Sequence, residues 1–378
     1  MKRAEAWEHF VANYAQPTAQ KKIMAVEAYF RQHQEDLIAE FLEPFREICL
    51  KIKAMQLANE KGKIACITYS MLRTAILDRR PVYLVEAFDK EWFLDPVECQ
   101  TKYPAGWAFQ FLDQLGPELT EQLKSLYLHQ IDRTKPERYL LQESEKYHQY
   151  VIRLARYAMA QAAQLPEFQA IEKEAEFAVR VGEYLDGSEV VYRESRYIKE
   201  LVAAKPRMEA LEEGLAFVYD ALSGLNLAQG DYWKIDLEYA DLSESDLSGS
   251  QMQYSILIGT KFYRGSLARV DLKGARIYEA DFSECNLEGA NLSNSIGAAG
   301  MVNTEEWYTP GFRAVNFRGA NLEDVDFKDA KLRGAIFVDA NLKNVNFEGA
   351  DLEDAAFTRE NSEDLNLDDV QRQQIIWR

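Results

Sequence analysis

With 378 residues, 47% of them hydrophobic and 12% aromatic, the chain holds enough apolar material for more than one packed core, and disorder over most of its length is excluded. A formal charge of −18 and a pI near 4.9 argue against direct binding to a nucleic-acid backbone and leave room for a partner with a basic groove. The start, MKRAEAWEHFVANYA, lacks an apolar leader, and no apolar run approaches the roughly 18 residues of a membrane span, so a cytoplasmic protein without a membrane segment is expected.

Residues 1–221 read as a mainly α-helical domain with one or two β-hairpins. Trp7, Phe10, Val11 and Tyr14 form one helical stripe, Ile38, Phe41, Leu42 and Phe45 a second, and Tyr147, Tyr150, Val151, Leu154 and Ala158 a third. RRPVYLVEAFDKEWFLDP predicts a hairpin turning at Asp89-Lys90, and FAVRVGEYLDGSEVVYRES one turning at Asp186-Gly187. His9, His33, His129 and His148 never reach a compact metal-ligand spacing. Cys49, Cys66, Cys99 and Cys285 form no CxxC pair and fit buried fillers in a reducing compartment.

A different grammar runs over 222–358. Large apolar residues recur at every fifth position, Leu237, Leu242, Leu247 and onward, where a helix would repeat near 3.6 and a strand at 2. Two residues before each stands a small residue (Ala240, Ser245, Ser250), and between them often Asp or Asn (Asp241, Asp246, Asn286, Asn291). In extended backbone the small and large residues share the inward direction while Asp or Asn faces out, bonding nearby amides and bending the chain the same way each time. If four such units close one coil, positions twenty apart stack. Phe317, Phe337 and Phe357 then fall on one face, Phe327 and Phe347 on the opposite one, with Leu322 over Leu342 and Leu332 over Leu352 on the other two. About 24 units would make about six coils, a rod on the order of 29 Å long.

Between about 296 and 314 the small-residue and Asx pattern lapses while the five-residue phase persists, which predicts either one irregular coil or an extruded loop. Glu305, Glu306, Trp307 and Tyr308 in this stretch are candidate partner contacts, or aromatics folded back over a weak coil. The tail, 359–378, leaves the phase. A short helix from near Asp368, lined by Leu367, Val370, Gln374 and Trp377, is expected to close the open end, or to form a homodimer contact.

ADLSESDLSGS, ADFSECNLEGANLSNS and GANLEDVDFKDAKLRGAIF resemble the tandem units of the pentapeptide-repeat proteins. The resemblance implies a right-handed quadrilateral β-helix over about 222–358, giving a multidomain α plus β chain. It specifies a scaffold rather than an activity.

No HExxH, GxGxxG, phosphate loop or GxSxG elbow appears, so no catalytic, cofactor-binding or metal-ligating residue is nominated and no cofactor is expected. Three functions stand at this point. The first is a non-enzymatic protein-interaction scaffold presenting an acidic rod. The second follows from the resemblance: some family members imitate duplex DNA and bind type II topoisomerases, so DNA gyrase or topoisomerase IV is the implied partner, with antibiotic resistance or self-immunity as the outcome. The third is an enzyme hidden in the helical half, which predicts a deep pocket with convergent polar groups. From Leu222 to the C-terminus there are 27 acidic and 15 basic residues, and without the tail after Thr358 the net charge is −10. That is roughly one charge per 3 Å of rod, against one per about 1.7 Å for duplex DNA.

Overall fold

A computed structural model describes residues 3–127, 134–195, 204–210, 217–301, 310–359 and 365–378. The chain divides into two compact units, Met1–Arg196 with Met301–Gly311, and Tyr197–Gly300 with Phe312–Arg378. The division thus falls near 196 rather than 221, and a short piece of the later chain belongs to the earlier unit.

In the first unit, α1 (Arg3–Phe10) passes through one π turn, Val11–Ala15, into α2 (Gln16–Gln32). Pro17 has no N–H to give Asn13, and the backbone closes instead from the Gln16 N–H to the Val11 carbonyl. Then come α3 (Gln34–Leu57), β1 (Ile64–Met71), α4 (Arg73–Leu77), β2 (Val82–Phe88) and β3 (Gln100–Pro104). The unit continues with α5 (Gly106–Tyr127), α6 (Thr134–Ala162), α7 (Pro166–Ala170), β4 (Lys173–Glu183) and β5 (Ser188–Ser195). Phe10, Ile38, Phe41 and Phe45, and Tyr147, Tyr150, Val151, Leu154 and Ala158, all point into one core. Helices α3 and α6 pack there on a five-stranded sheet ordered β3-β2-β1-β4-β5, antiparallel except for β1 against β4.

That sheet is larger than two hairpins. IACITYSM, which is β1, is buried almost throughout, so it lacks the alternation that marks a half-buried strand, and its parallel partner is distant, Ile64 lying beside Lys173. The first hairpin also differs from expectation: the chain does not turn back at Asp89-Lys90. Trp92–Leu94 form a 3-10 turn, and the strand returning on β2 is β3, with Glu86 opposite Gln100. The connection folds around Asp95, which accepts from the Asp89 and Val97 amides and pairs with Lys61 at 2.7 Å, both side chains nearly inaccessible. Between β4 and β5 the turn does lie at Asp186-Gly187, closed by the Glu183 amide on the Gly187 carbonyl.

In the second unit, α8 (Ala204–Glu209) contributes Ala204 and Met208 to a separate core. A coil follows in which every fifth residue bridges the residue 20 further on: Ala221 with Asp241, Asn226 with Asp246, Asp231 with Gln251, Asp236 with Ile256. Four bridged sides therefore make one turn, and backbone groups are satisfied between turns. At the interruption the spacing becomes 35, as in Asp281 with Asn316 and Ile296 with Lys331, then returns to 20. The spacing thus grows by fifteen residues at one turn, where the Gly300 amide bonds the Phe312 carbonyl at 2.7 Å.

Inside, Phe317, Phe337 and Phe357 stack at centroid separations of 5.2 and 4.8 Å, and Phe327 lies 5.4 Å from Phe347. Leu322, Leu342, Leu332 and Leu352 are buried on the remaining sides. Four hydroxyl residues at the small position hold the preceding turn of coil: Ser245, Ser250, Ser255 and Thr260 donate to the carbonyls of Leu222, Leu227, Tyr232 and Leu237, whereas the buried Ser295 hydroxyl at the same position makes no hydrogen bond among the described residues.

The last full rungs are β6 (Ile336–Phe337) and β7 (Ala356–Phe357), and β8 (Ile376–Trp377) pairs with β7 in parallel, placing Trp377 beside Phe357. Helix α9 (Asp369–Gln374) precedes β8 and starts on an Asp368–Gln371 capping box. The inward face of the tail is Leu367, Gln371 and Ile375, not Leu367, Val370 and Gln374; Val370 is exposed. A helix this short holds one inward turn, and Gln371 takes it because its amide closes the open end, donating to the Phe347 and Ala350 carbonyls.

Candidate interaction site

Each side of the coil is built alike. The carbonyl of the large apolar residue accepts from the amide three residues on (Leu237 from Ala240, 3.0 Å), and the residue before that amide has positive φ, as at Tyr239 (56°) and Asp354 (59°). This is the geometry of a type II turn, and Gly274 and Gly349 occupy the same position without the Cβ strain. The outward Asp or Asn stabilises the turn, its Oδ1 accepting from the amide two residues later, as from Ser243 to Asp241 and from Lys328 to Asp326. Asx side chains at these positions are therefore backbone-bonded, and they present their second polar atom outward.

That second atom forms ladders. On the side carrying Asp231, Gln251, Asp271, Asn291, Asp326 and Asn346, carboxylate and amide alternate. Asn291 Nδ2 donates to Asp271 at 3.0 Å and Asn346 Nδ2 to Asp326 at 2.8 Å. None of the four bridge ladders stacks one carboxylate directly on another, an order that avoids like-charge repulsion at about 4.8 Å. Basic residues on the outside pair across turns: Arg264 with Glu284 at 2.7 Å, Arg318 with Asp339 at 3.0 Å, Lys328 with Glu348 at 2.9 Å. The Glu348 carboxylate holds the Lys328 ammonium above its ordinary pKa, and Glu284 does the same for Arg264. Trp233 and Tyr254 are exposed large aromatics on the outside of the coil.

The candidate contact residues Glu305, Glu306, Trp307 and Tyr308 lie outside the described residues. Their flanks are described. Met301 and Gly311, both in the first unit, donate their amides to the two oxygens of Glu27, to Oε1 at 3.2 Å and Oε2 at 2.9 Å. Sequence reasoning missed Glu27, although one signal was there: an acidic residue between Ile23 and Phe30 on the apolar stripe of α2.

Among the described residues, no cluster of His, Cys, Asp or Glu can hold a metal ion, and no helix is long and apolar enough to cross a membrane. All four cysteines are free and buried, burial pushing the Cys49, Cys66 and Cys285 thiols up to about 12. His148 is bonded to the Tyr83 hydroxyl at 2.6 Å and pushed down to about 4 by desolvation. A cavity of 870 Å³ in the first unit is lined by apolar residues such as Leu112, Leu123, Leu140 and Leu141 together with the charged Asp78, Arg79, Asp113, Lys124 and Glu137.

With this geometry in view, comparison with known proteins is direct. The family model described as Pentapeptide repeats matches residues 234–269, 255–294, 312–349 and 320–359, in 8 copies. This region is therefore a pentapeptide-repeat segment, and such repeats fold as a β-helix. Among solved structures the chain is similar to a pentapeptide repeat protein from the cyanobacterium Cyanothece 51142, with 25% identity over 30% of this chain and 60% of that one, TM-score 0.20. It is also similar to a pentapeptide repeat protein from Nostoc PCC 7120, at 21% identity over 47% of this chain and 95% of that one, TM-score 0.19. A third is QnrB1, a plasmid-mediated fluoroquinolone resistance protein, at 18% identity over 43% and 76%, TM-score 0.27. The chain spans 60% of the Cyanothece protein's length. No curated protein matches.

Proposed function

We propose that this protein is a non-enzymatic interaction scaffold in which a right-handed, four-sided β-helix presents rows of Asp, Asn and Glu to a protein partner with a basic groove. The observation carrying this reading is the ladder Asp231, Gln251, Asp271, Asn291, Asp326, Asn346: a row of acceptors and donors repeated along the coil. Glu305, Glu306, Trp307 and Tyr308 are proposed as a second contact, since the small-residue and Asx pattern of the repeat lapses in their stretch of the sequence.

The DNA-mimic reading, with gyrase or topoisomerase IV as partner, draws support from the resemblance to pentapeptide-repeat proteins and from the acidic total. Against it stand the separation of carboxylates along every bridge ladder and the cross-turn pairing of Arg264, Arg318 and Lys328, whereas a phosphate backbone is an unbroken row of charge. Supercoiling by purified gyrase in the presence of the full-length protein separates the two. The scaffold reading predicts unchanged supercoiling and unchanged drug sensitivity across a wide protein range, and concentration-dependent inhibition or protection would establish the mimic instead. The scaffold reading itself is tested on the captured partner: replacing Asp231, Asp271 and Asp326 together by Asn should weaken binding and flatten its salt dependence. Unaltered affinity in that folded variant would overturn it.

A further inference from the structure

A second cavity in the first unit, of about 390 Å³, lies where α6, the first residue of α4 and the β4–β5 hairpin meet. Glu145, His148, Gln149 and Ile152, at i, i+3, i+4 and i+7 on α6, form one wall. His148 is only 7% exposed, and its ring stacks on Tyr83 with 5.7 Å between centroids. Its Nδ1 bonds the Tyr83 hydroxyl at 2.6 Å, while its Nε2 makes no hydrogen bond among the described residues. The Tyr83 hydroxyl is fully buried and has no other hydrogen-bond partner among them. It therefore donates, because a buried hydrogen facing nothing costs more than an unfilled lone pair. Nδ1 then accepts, and the proton of the neutral imidazole sits on Nε2. Desolvation keeps the ring neutral by pushing it down to about 4. The floor of the cavity thus presents an N–H donor beside the buried side chains of Ile152 and Val181.

The mouth is acidic. Arg73 pairs with Glu183 at 2.6 Å, and Asp186 and Glu145 also help to hold its guanidinium above its ordinary pKa. One cation among these three carboxylates leaves two negative charges unmatched. Glu189, also on the rim, is already matched by Arg156 at 2.8 Å. We propose that this cavity binds a small organic cation whose far end carries a neutral hydrogen-bond acceptor such as a carboxamide carbonyl. The acceptor meets His148 Nε2–H at the floor, and Glu145 and Asp186 hold the cationic group at the mouth. Tyr83 is a positioning residue: by donating to Nδ1 it fixes the tautomer that turns a donor into the cavity.

Argininamide and agmatine are the probes, since both carry a guanidinium and an ammonium group and they differ by the carboxamide. Calorimetric titration of the full-length protein gives the affinities, and nuclear magnetic resonance of 15N-labelled histidine reports on His148. Argininamide should bind and shift the His148 Nε2–H signal, and agmatine should bind about three- to ten-fold more weakly, the worth of one hydrogen bond. Glu145→Gln combined with Asp186→Asn should weaken argininamide by about three-fold at low ionic strength, with a smaller difference in high salt. In Tyr83→Phe the tautomer is released, so the preference for argininamide over agmatine should shrink. If Tyr83→Phe fails to fold, the wild-type and carboxylate-variant measurements decide. Equal affinity for the two probes, an unmoved His148 signal at millimolar argininamide, or a wild-type His148 protonated at Nδ1 overturns the proposal.

Discussion

Replacing Phe337 by Ala removes an interior ring of the aromatic column formed by Phe262, Phe282, Phe317, Phe337 and Phe357. Its ring stacks on Phe317 at 5.2 Å and Phe357 at 4.8 Å, and meets Phe327 and Phe347 edge-on at 5.8 and 5.6 Å, with no solvent exposure. Truncating a buried Phe costs about 3–5 kcal/mol, and each lost ring pair adds roughly 0.5–1.5 kcal/mol beyond area burial, so the upper part of the first range is expected. The coils above and below are themselves held by the column, which prevents collapse into the void. Urea unfolding followed by circular dichroism gives the magnitude, and hydrogen exchange gives the location. In a solenoid each turn contacts only its neighbours, so the loss of protection should centre on the rungs joining Asn316, Ile336 and Ala356. Phe337→Leu should cost clearly less. A loss under about 1 kcal/mol for the Ala variant would refute the packing argument.

Gly274→Ala should destabilise by about 1–2 kcal/mol, measured by thermal unfolding, because φ there is +66° and a Cβ would lie 2.7 Å from the Tyr254 ring. Asp95→Asn should lower stability at pH 7 by about 3–5 kcal/mol, since Lys61 would be left buried without its anion. Burial tends to raise the Asp95 pKa, but the bonds from Lys61 and from the Asp89 and Val97 amides prevail and hold it below the ordinary carboxylate value. Its contribution is thus present above the unfolded-state pKa and fades as pH falls through the lower folded one, so wild type and Asp95→Asn should converge in acid unfolding titrations. The four buried thiols should resist a thiol reagent at pH 8 in the native protein and all react in denaturant.

The repeat was legible because one chemical rule recurs: large residue in, small residue in, Asx out. The column order of Phe317, Phe337 and Phe357 follows from counting by twenty. The turn was less legible, because its left-handed position accepts Tyr239, Glu244, Asp324 and Asn344 as well as glycine, so no residue type marks it. β1 was hidden for the opposite reason, burial on both faces having erased its alternation. The pairing of β1 with β4, and of Glu27 with Met301 and Gly311, are contacts between distant parts of the sequence. A single chain carries no pattern for those, apart from the misplaced charge of Glu27 on an apolar stripe. The tail shows how local chemistry prevails over periodicity: Gln371 is inward because of the carbonyls it reaches, a need no hydrophobic pattern encodes.

The coil's continuity through the interruption is tested most directly by cysteine pairing. Asn286 and Asn321 are bridge partners 35 residues apart, with Asn321 Nδ2 3.0 Å from Asn286 Oδ1, and neighbouring strands place their Cα atoms about 4.8 Å apart, within disulfide reach. Asn286→Cys with Asn321→Cys should oxidise readily to an intramolecular disulfide in the folded protein, while Asn286→Cys with Asn341→Cys, two rungs apart, should not. Equal oxidation of both pairs, or of neither, would contradict a ladder that resumes in register after the excursion.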